Sequence, residues 1–189
     1  MPKIVDRDRY RQQLLAKSFE LFAEIGYGKI TMRQIAQKLE ISTGTLYHYF
    51  PSKEAMFLQL VEEQVQQDIT NFLTQAKSVP PDIRSRVRAI LDFTMENRDY
   101  FTKQLMIWMD YYQQQQGNED SSIAILQQAD RETIATINDY LQTNNPSIGA
   151  FILTFLNGLI LCQLYSPDPV GWEAQVEILV EAIAVMSNE

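Results

Sequence analysis

Apolar residues recur along this chain at helical spacing, and convincing period-two alternation is absent. Leu15, Phe19 and Phe22 fall on one face of a segment from about residue 8 to 25, and Gly26 offers a C-terminal stop. Thr31 and Gln34 form a capping box ahead of Ile35, Ala36 and Leu39. Ser42 caps a second short stretch, 43–50. Ser52 opens a long helix to about residue 76, ended by Lys77-Ser78-Val79-Pro80-Pro81, because proline cannot continue a helix interior. Further helices are expected at about 82–97, 98–116, 123–142, 147–165 and 169–187, with a polar loop at 117–122. Asn145-Pro146 and Asp168-Pro169 each pair a cap with a first-turn proline to open the last two. The pattern predicts an all-α chain of about nine helices: a three-helix head, then a long fourth helix leading into a helical body.

The stretch 31–53 carries the most specific chemistry. It reads as two short helices joined by a tight turn, and the second is too short and too polar to be a core element by itself. Leu46 and Phe50 are expected to pin it to Phe19 and Phe22, while its outer side carries hydroxyls, an imidazole and phenols. A helix, a turn and a second helix with a hydrogen-bonding outer face form the helix-turn-helix used in the DNA major groove. The second helix holds no Lys or Arg. Base reading would then fall to Thr43 and Thr45, whose methyls can meet thymine methyls, with Tyr47 or His48 beside them and DNA shape adding discrimination. Thr31, at a helix N-terminus with Arg33 in the same turn, suits a phosphate. Arg7, Arg9 and Arg11 are expected as an arm along the backbone or in the minor groove.

The run from Gly26-Tyr27 through Thr31, Ile35-Ala36 and Ser42-x-Gly44-x-Leu46-Tyr47-x-Tyr49-Phe50 to Ser52-Lys53-Glu54 resembles the N-terminal DNA-binding domain of TetR-type transcriptional regulators. The resemblance covers roughly residues 8–60; the rest matches that family only in length and helical character. It implies a DNA-binding domain over 1–51 and a helical effector-binding and dimerisation domain over 52–189. It adds Ser42 and Gly44 to the DNA-contacting set and makes Tyr49 and Lys53 phosphate donors. One departure lies in the turn, where Leu39-Glu40-Ile41 stands in place of the family's usual glycine. A positive φ at Glu40 would cost about 1 kcal/mol.

The resemblance also implies an effector cavity lined by Phe101, Leu105, Trp108 and Tyr112, which share one helical face, together with Phe155. Asp110 lies on the opposite side of that helix and is expected in solvent. The last two helices would pair with their symmetry mates through Phe151, Phe155, Leu159, Trp172, Val176, Leu179 and Ile183. The homodimer would set two recognition helices about 34 Å apart on a near-palindromic double-stranded operator. Within the eighth helix, Ala150, Thr154, Gly158 and Cys162 form a narrow edge at four-residue intervals.

Charge sharpens this picture. The net charge is −8, but residues 1–60 hold 9 Lys/Arg against 6 Asp/Glu, whereas 61–189 hold 7 against 18. A polyanion-binding end and an acidic remainder are the expected reading. A single cysteine, Cys162, excludes an intramolecular disulfide, and the polar start of the chain has no apolar signal core. A reducing, cytoplasmic setting is expected. Residues 147–166 carry no charge and must be weighed as a membrane span. Asn157, Gln163 and the absence of Lys or Arg after Arg131 oppose that, so no membrane partner is expected. There is no Gly-rich phosphate loop, nucleophile motif or metal-ligand spacing, so neither an enzyme nor a cofactor or metal is expected. The sequence reads as a TetR-like regulator, a repressor released by a small, lipophilic effector. The alternative is a helical small-molecule sensor or carrier with little specific DNA binding.

Overall fold

A computed structural model of the chain describes residues 6–115, 123–166 and 171–186. The expected loop at 117–122 and the Asp168-Pro169 helix start lie outside the described residues. The described residues form α1 (Arg7–Ile25), α2 (Met32–Lys38), α3 (Thr43–Tyr49), α4 (Lys53–Gln75), a 3₁₀ turn (Ala76–Ser78), α5 (Ile83–Glu96), α6 (Arg98–Gln114), α7 (Ala124–Leu141), α8 (Pro146–Tyr165) and α9 (Trp172–Met186). Among them there is no strand, and the all-α expectation holds.

Local chemistry sets most boundaries. Asp6, two residues ahead of the expected start, caps α1 by accepting from the Asp8 and Arg9 N–H groups. Gly26 ends α1 at φ 94°, and its N–H reaches the Phe22 carbonyl. The Thr31–Gln34 capping box is present in both directions. Ser42, Asp82 and Asn145 cap α3, α5 and α8 through their side chains, and the Ser52 hydroxyl accepts from Ala55 N at 2.9 Å. Between α2 and α3, Glu40 takes φ 58°. The Glu40 N–H donates to the Gln37 carbonyl and the Ile41 N–H to the Ala36 carbonyl. That is the Schellman pattern, with glutamate where glycine would be unstrained. Gln142 repeats it after α7, at φ 58° and with the same two bonds.

The described residues fall into two compact units. One comprises Met1–Gln66 with Met106–Gln127, the other Gln67–Leu105 with Gln128–Glu189. Helices α4, α6 and α7 therefore contribute to both. In the first unit Leu15, Phe22, Ile30, Ile35, Leu46, Phe50, Met56 and Phe57 are fully buried. In the second, Val87, Leu91, Ile148, Ile152, Val176, Leu179 and Ile183 share one apolar core. Helix α8 is long and apolar enough to cross a membrane by length and composition. Ile148, Gly149, Ile152, Leu156, Leu159 and Ile160 on one side of it are buried in the second unit, as in a core helix.

Candidate nucleic-acid interface

Helix α3 is held from beneath. Leu46 and Phe50 are completely enclosed, so the opposite side of this seven-residue helix faces outward. Thr43, Gly44, Tyr47 and His48 are exposed there, and Tyr47 keeps 49% of its surface. The Ser42 hydroxyl accepts from Thr45 N at 2.9 Å and lies 2.8 Å from the Thr45 hydroxyl, so these two side chains cap the helix first. Thr43 and Tyr47 carry the hydroxyls that make no hydrogen bond within the described residues. Gly44 is informative in another way. A Cβ there would meet only the Ser42 hydroxyl, at 3.8 Å, and its φ is not positive. Nothing among the described residues requires a glycine there, although glycine weakens a helix by up to about 1 kcal/mol.

The expected phosphate contacts separate on inspection. Thr31 and Arg33 are exposed at the start of α2, and the Thr31 hydroxyl is engaged with Gln34. Tyr49 is half-buried between the Tyr10 ring, 5.5 Å away, and the His48 ring at 5.4 Å. The Arg7 guanidinium stands 6.0 Å from the centre of the Tyr49 ring. Arg7, Arg9 and Arg11 do not form an arm: the Asp6 cap draws them into the first turns of α1, and Arg11 donates to the Gln59 side chain at 2.9 Å.

Lys53 is committed inward as well. Its Nζ donates to the Tyr27 carbonyl at 2.7 Å and the Ile30 carbonyl at 3.0 Å, and lies 4.4 Å from the Tyr27 ring centre. Partial burial lowers its pKa, against an opposing pull from the Asp110 carboxylate. Two of its three donors thus brace the loop that leads into α2.

Sequence reasoning missed a second support. Asp110 is not a solvent residue: its Oδ2 accepts from the Gly28 N–H at 3.1 Å. Tyr111 is fully buried, stacks on Phe57 at 4.0 Å and meets Tyr27 edge-on at 5.0 Å. Its hydroxyl lies 3.4 Å from Glu54, and burial, followed by that carboxylate, pushes its pKa up to about 12. The C-terminal half of α6 therefore belongs to the same unit as the helix-turn-helix. The Gly26-Tyr27-Gly28 loop could have indicated this, since a Cβ on Gly28 would lie 2.6 Å from the Gln114 side chain.

The buried stripe of α6 lies about one residue away from the face expected to line an effector cavity. Gln104, Ile107 and Tyr111 form the buried stripe. Phe101, Leu105 and Trp108 are half-buried at its edge, and Tyr112 is exposed, 48% open. Phe155 packs at the margin of the second unit's core. The Trp108 Nε1–H is buried and has no acceptor among the described residues, a situation that costs about 1–3 kcal/mol. In the second unit the Asp68 carboxylate accepts from Gln104 Nε2 at 3.0 Å and Tyr100 OH at 3.3 Å. Burial, only partly offset by those bonds, raises its pKa to about 6.

The residues expected at a dimer face also sort differently. Leu159, Val176, Leu179 and Ile183 are buried in their own unit, where a partner cannot reach them, and Trp172 and Phe155 are partly covered. Phe151 is exposed as expected. The apolar surface left open on α8 and α9 is carried by Phe151, Leu164, Tyr165, Ile178, Val185 and Met186. On α9 the buried face is Val176, Leu179, Val180 and Ile183, and a row of acidic residues flanks it. Glu181 pairs with Arg84 at 2.8 Å, and Glu173 and Glu177 pair with Arg88, turning that edge of α9 toward α5.

Comparison with known proteins agrees with this arrangement. Residues 14–60 match the family model described as bacterial regulatory proteins, tetR family. The nucleoid occlusion factor SlmA of Actinobacillus pleuropneumoniae is 34% identical over 96 residues, covering 51% of this chain and 47% of SlmA. The chain thus spans about half the length of this curated relative. Among solved structures, the fatty acid degradation regulator FadR from Bacillus halodurans superposes with a TM-score of 0.73 at 14% identity, covering 92% of this chain and 97% of that one. A transcriptional regulator from Saccharomonospora viridis in complex with choline gives 0.71 at 18% identity, covering 93% and 96%. At these identities the two structures speak for the fold alone. Residues 14–60 thus form a helix-turn-helix domain of the tetR family type, and the all-helical fold matches solved structures along nearly the whole chain.

Proposed function

We propose that this protein is a dimeric, cytoplasmic DNA-binding transcriptional regulator, acting as a repressor that a small lipophilic effector releases from a near-palindromic operator. In this reading residues 1–51 contact DNA and 52–189 take the effector and dimerise. The observation that carries it is the outer face of α3. Thr43, Tyr47 and His48 are exposed beside Gly44, whose lack of a side chain no contact in the chain requires. A glycine there fits close approach of a DNA backbone. The relative SlmA is a nucleoid occlusion factor by name, and the family model describes regulatory proteins.

Several observations support the effector and the dimer. The Trp108 Nε1–H calls for an acceptor, and of the two similar structures above one is a fatty acid degradation regulator and the other is a complex with choline. The open apolar residues of α8 and α9 fit a two-fold partner. Regulation would be a population shift, with leverage equal to the effector's differential affinity for the two conformations. Helices α4 and α6 contribute to both compact units and are the natural levers.

The test is operator binding by variants at exposed positions. Thr43→Ala and Tyr47→Ala should each weaken binding about tenfold, the scale of one base contact, with unchanged melting temperature. Gly44→Ala should also weaken binding while leaving the fold as stable or more so. The alternative reading, a helical sensor or carrier with little specific DNA binding, draws on the absence of Lys and Arg from 42–50. It predicts that none of the three substitutions changes DNA affinity.

A further inference from the structure

Asp68 of α4 is a half-buried carboxylate with one oxygen idle. Its two hydrogen bonds, from Gln104 Nε2 at 3.0 Å and the Tyr100 hydroxyl at 3.3 Å, both end on Oδ2. Oδ1 accepts none among the described residues. A carboxylate offers lone pairs on both oxygens and reaches full strength only when both are used. No Lys or Arg pairs with Asp68 among the described residues, and the two groups that hold it are neutral. A purely structural acceptor would need no charge here, because an asparagine oxygen could receive the same two bonds. Burial raises the Asp68 pKa, and the two bonds offset only part of that rise. The ionised side chain therefore weakens its own unit, a cost that a functional site explains and a packing role does not.

The surroundings are aromatic. Phe72 follows Asp68 by one helical turn, on the same side of α4. The Phe72 ring meets Phe93 of α5 at 5.5 Å, Phe93 meets Phe101 of α6 at 5.9 Å, and Phe101 meets Tyr100 at 5.2 Å. Tyr100 donates to Asp68, so the row of rings leaves the carboxylate on α4 and comes back to it on α6. All of these residues belong to the second compact unit. Phe72 also meets Tyr140 edge-on at 4.8 Å, and the Tyr140 hydroxyl is buried without a partner among the described residues. Asp68, Phe93, Tyr100 and Phe101 each keep partial exposure, which leaves the group within reach of solvent. Ring faces attract cations and also pack against apolar chains. An idle anionic oxygen beside such rings suits a cation with an apolar body.

We propose that Asp68 and the rings of Phe72, Phe93, Tyr100 and Phe101 bind a lipophilic ammonium ion, its N–H donating to Asp68 Oδ1 and its chain lying against the rings. Binding stands on these groups alone; that such a ligand is the effector rests on the regulatory reading above.

The experiment is titration calorimetry on the full-length protein at about pH 8, where Asp68 is ionised. Octylammonium is compared with octanol and octanoate, which keep the chain and change the head. Octylammonium should bind at least about tenfold more tightly than octanol, the scale of one hydrogen bond to a charged group. Octanoate should bind more weakly still. Asp68→Asn keeps an acceptor for Gln104 and Tyr100 and should erase the margin over octanol. Asp99→Asn removes a carboxylate that is 93% exposed and should keep the margin, which separates Asp68 from the general pull of an acidic chain. Absent octylammonium binding, equal binding of octylammonium and octanol, or a margin that survives in Asp68→Asn overturns the proposal. Operator binding with and without octylammonium is read separately. Octylammonium held through Asp68 with operator affinity unchanged upholds the site and removes it from the regulatory reading.

Discussion

The outer face of α3 and the outer faces of α8 and α9 are left uncovered by the described residues, and α3 and α8 each carry there a glycine that no described contact requires. A Cβ on Gly44 would meet only the Ser42 hydroxyl at 3.8 Å, and one on Gly158 would meet nothing within 4 Å. The two faces are otherwise opposites. Around Gly44 stand hydroxyls, a phenol and an imidazole; around Gly158 stand Phe151, Phe155, Cys162 and Tyr165. An uncovered hydrogen-bonding face suits a polyanion with its own donors and acceptors. An uncovered apolar face suits a second apolar face, and in a symmetric dimer that is the same face of another copy. Similar backbone openings thus serve different partners, and the side chains around them decide which.

The largest expected effect comes from charging the apolar face. Ile178→Glu with Val185→Glu alters two side chains that are 71% and 60% exposed, so the fold should survive. Burying two carboxylates in a dimer interface costs several kcal/mol. Sedimentation should therefore find a monomer at concentrations where the native protein is expected to be a dimer. An unchanged dimer would place the interface elsewhere and break the comparison.

The glycines sharpen it. Gly149 is the packed counterpart of Gly158: its N–H donates to Asn138 Oδ1 at 2.9 Å, and a Cβ would lie 2.7 Å from both that oxygen and the Ile134 carbonyl. Gly149→Ala should lose roughly 2–3 kcal/mol by overpacking. Gly158→Ala should gain up to about 1 kcal/mol from helix propensity. Urea denaturation of both variants checks the contrast, and equal losses would mean that Gly158 is packed.

Asp68 provides a pH test inside the second unit. Its pKa rises from 3.8 to about 6 on folding, so the folded state holds the proton more tightly than the unfolded chain. The stability this contributes is present below about pH 4 and is lost as pH rises through about 6. Asp68→Asn should therefore be more stable than the native protein by roughly 2 kcal/mol near pH 8 and by little near pH 4. A variant less stable at both pH values would mean that the ionised carboxylate is favourable where it sits.

Sequence reading served the two regions unequally, for physical reasons. In the head, boundaries are encoded by local caps: the Thr31–Gln34 box, Ser42, and Gly26 at positive φ all lie where the residues suggest. Even the strained turn was legible, with Glu40 at φ 58° in the glycine position. In the body, faces depend on long-range partners. Gln104 is polar yet buried, because Asp68 and the Tyr100 hydroxyl satisfy it; the α6 stripe therefore runs through 104, 107 and 111 and not through 101, 105, 108 and 112. On α9 nearly every position is apolar or acidic, so hydrophobicity does not choose a side. The register of Glu173, Glu177 and Glu181 against Arg84 and Arg88 was the available clue. Asp110 is drawn out of solvent by a backbone N–H of the α1–α2 loop, and Lys53 bonds two carbonyls of the same loop, neither of which a helical pattern reveals.

The central claim is that the outer face of α3 reads specific DNA. Selection of random and genomic fragments by the full-length protein at near-physiological salt, run beside Tyr47→Ala, tests it most directly. The account predicts enrichment of a shared near-palindrome by the native protein and its loss in the variant. Weak, strongly salt-dependent retention with no shared sequence, the same for both proteins, would contradict it.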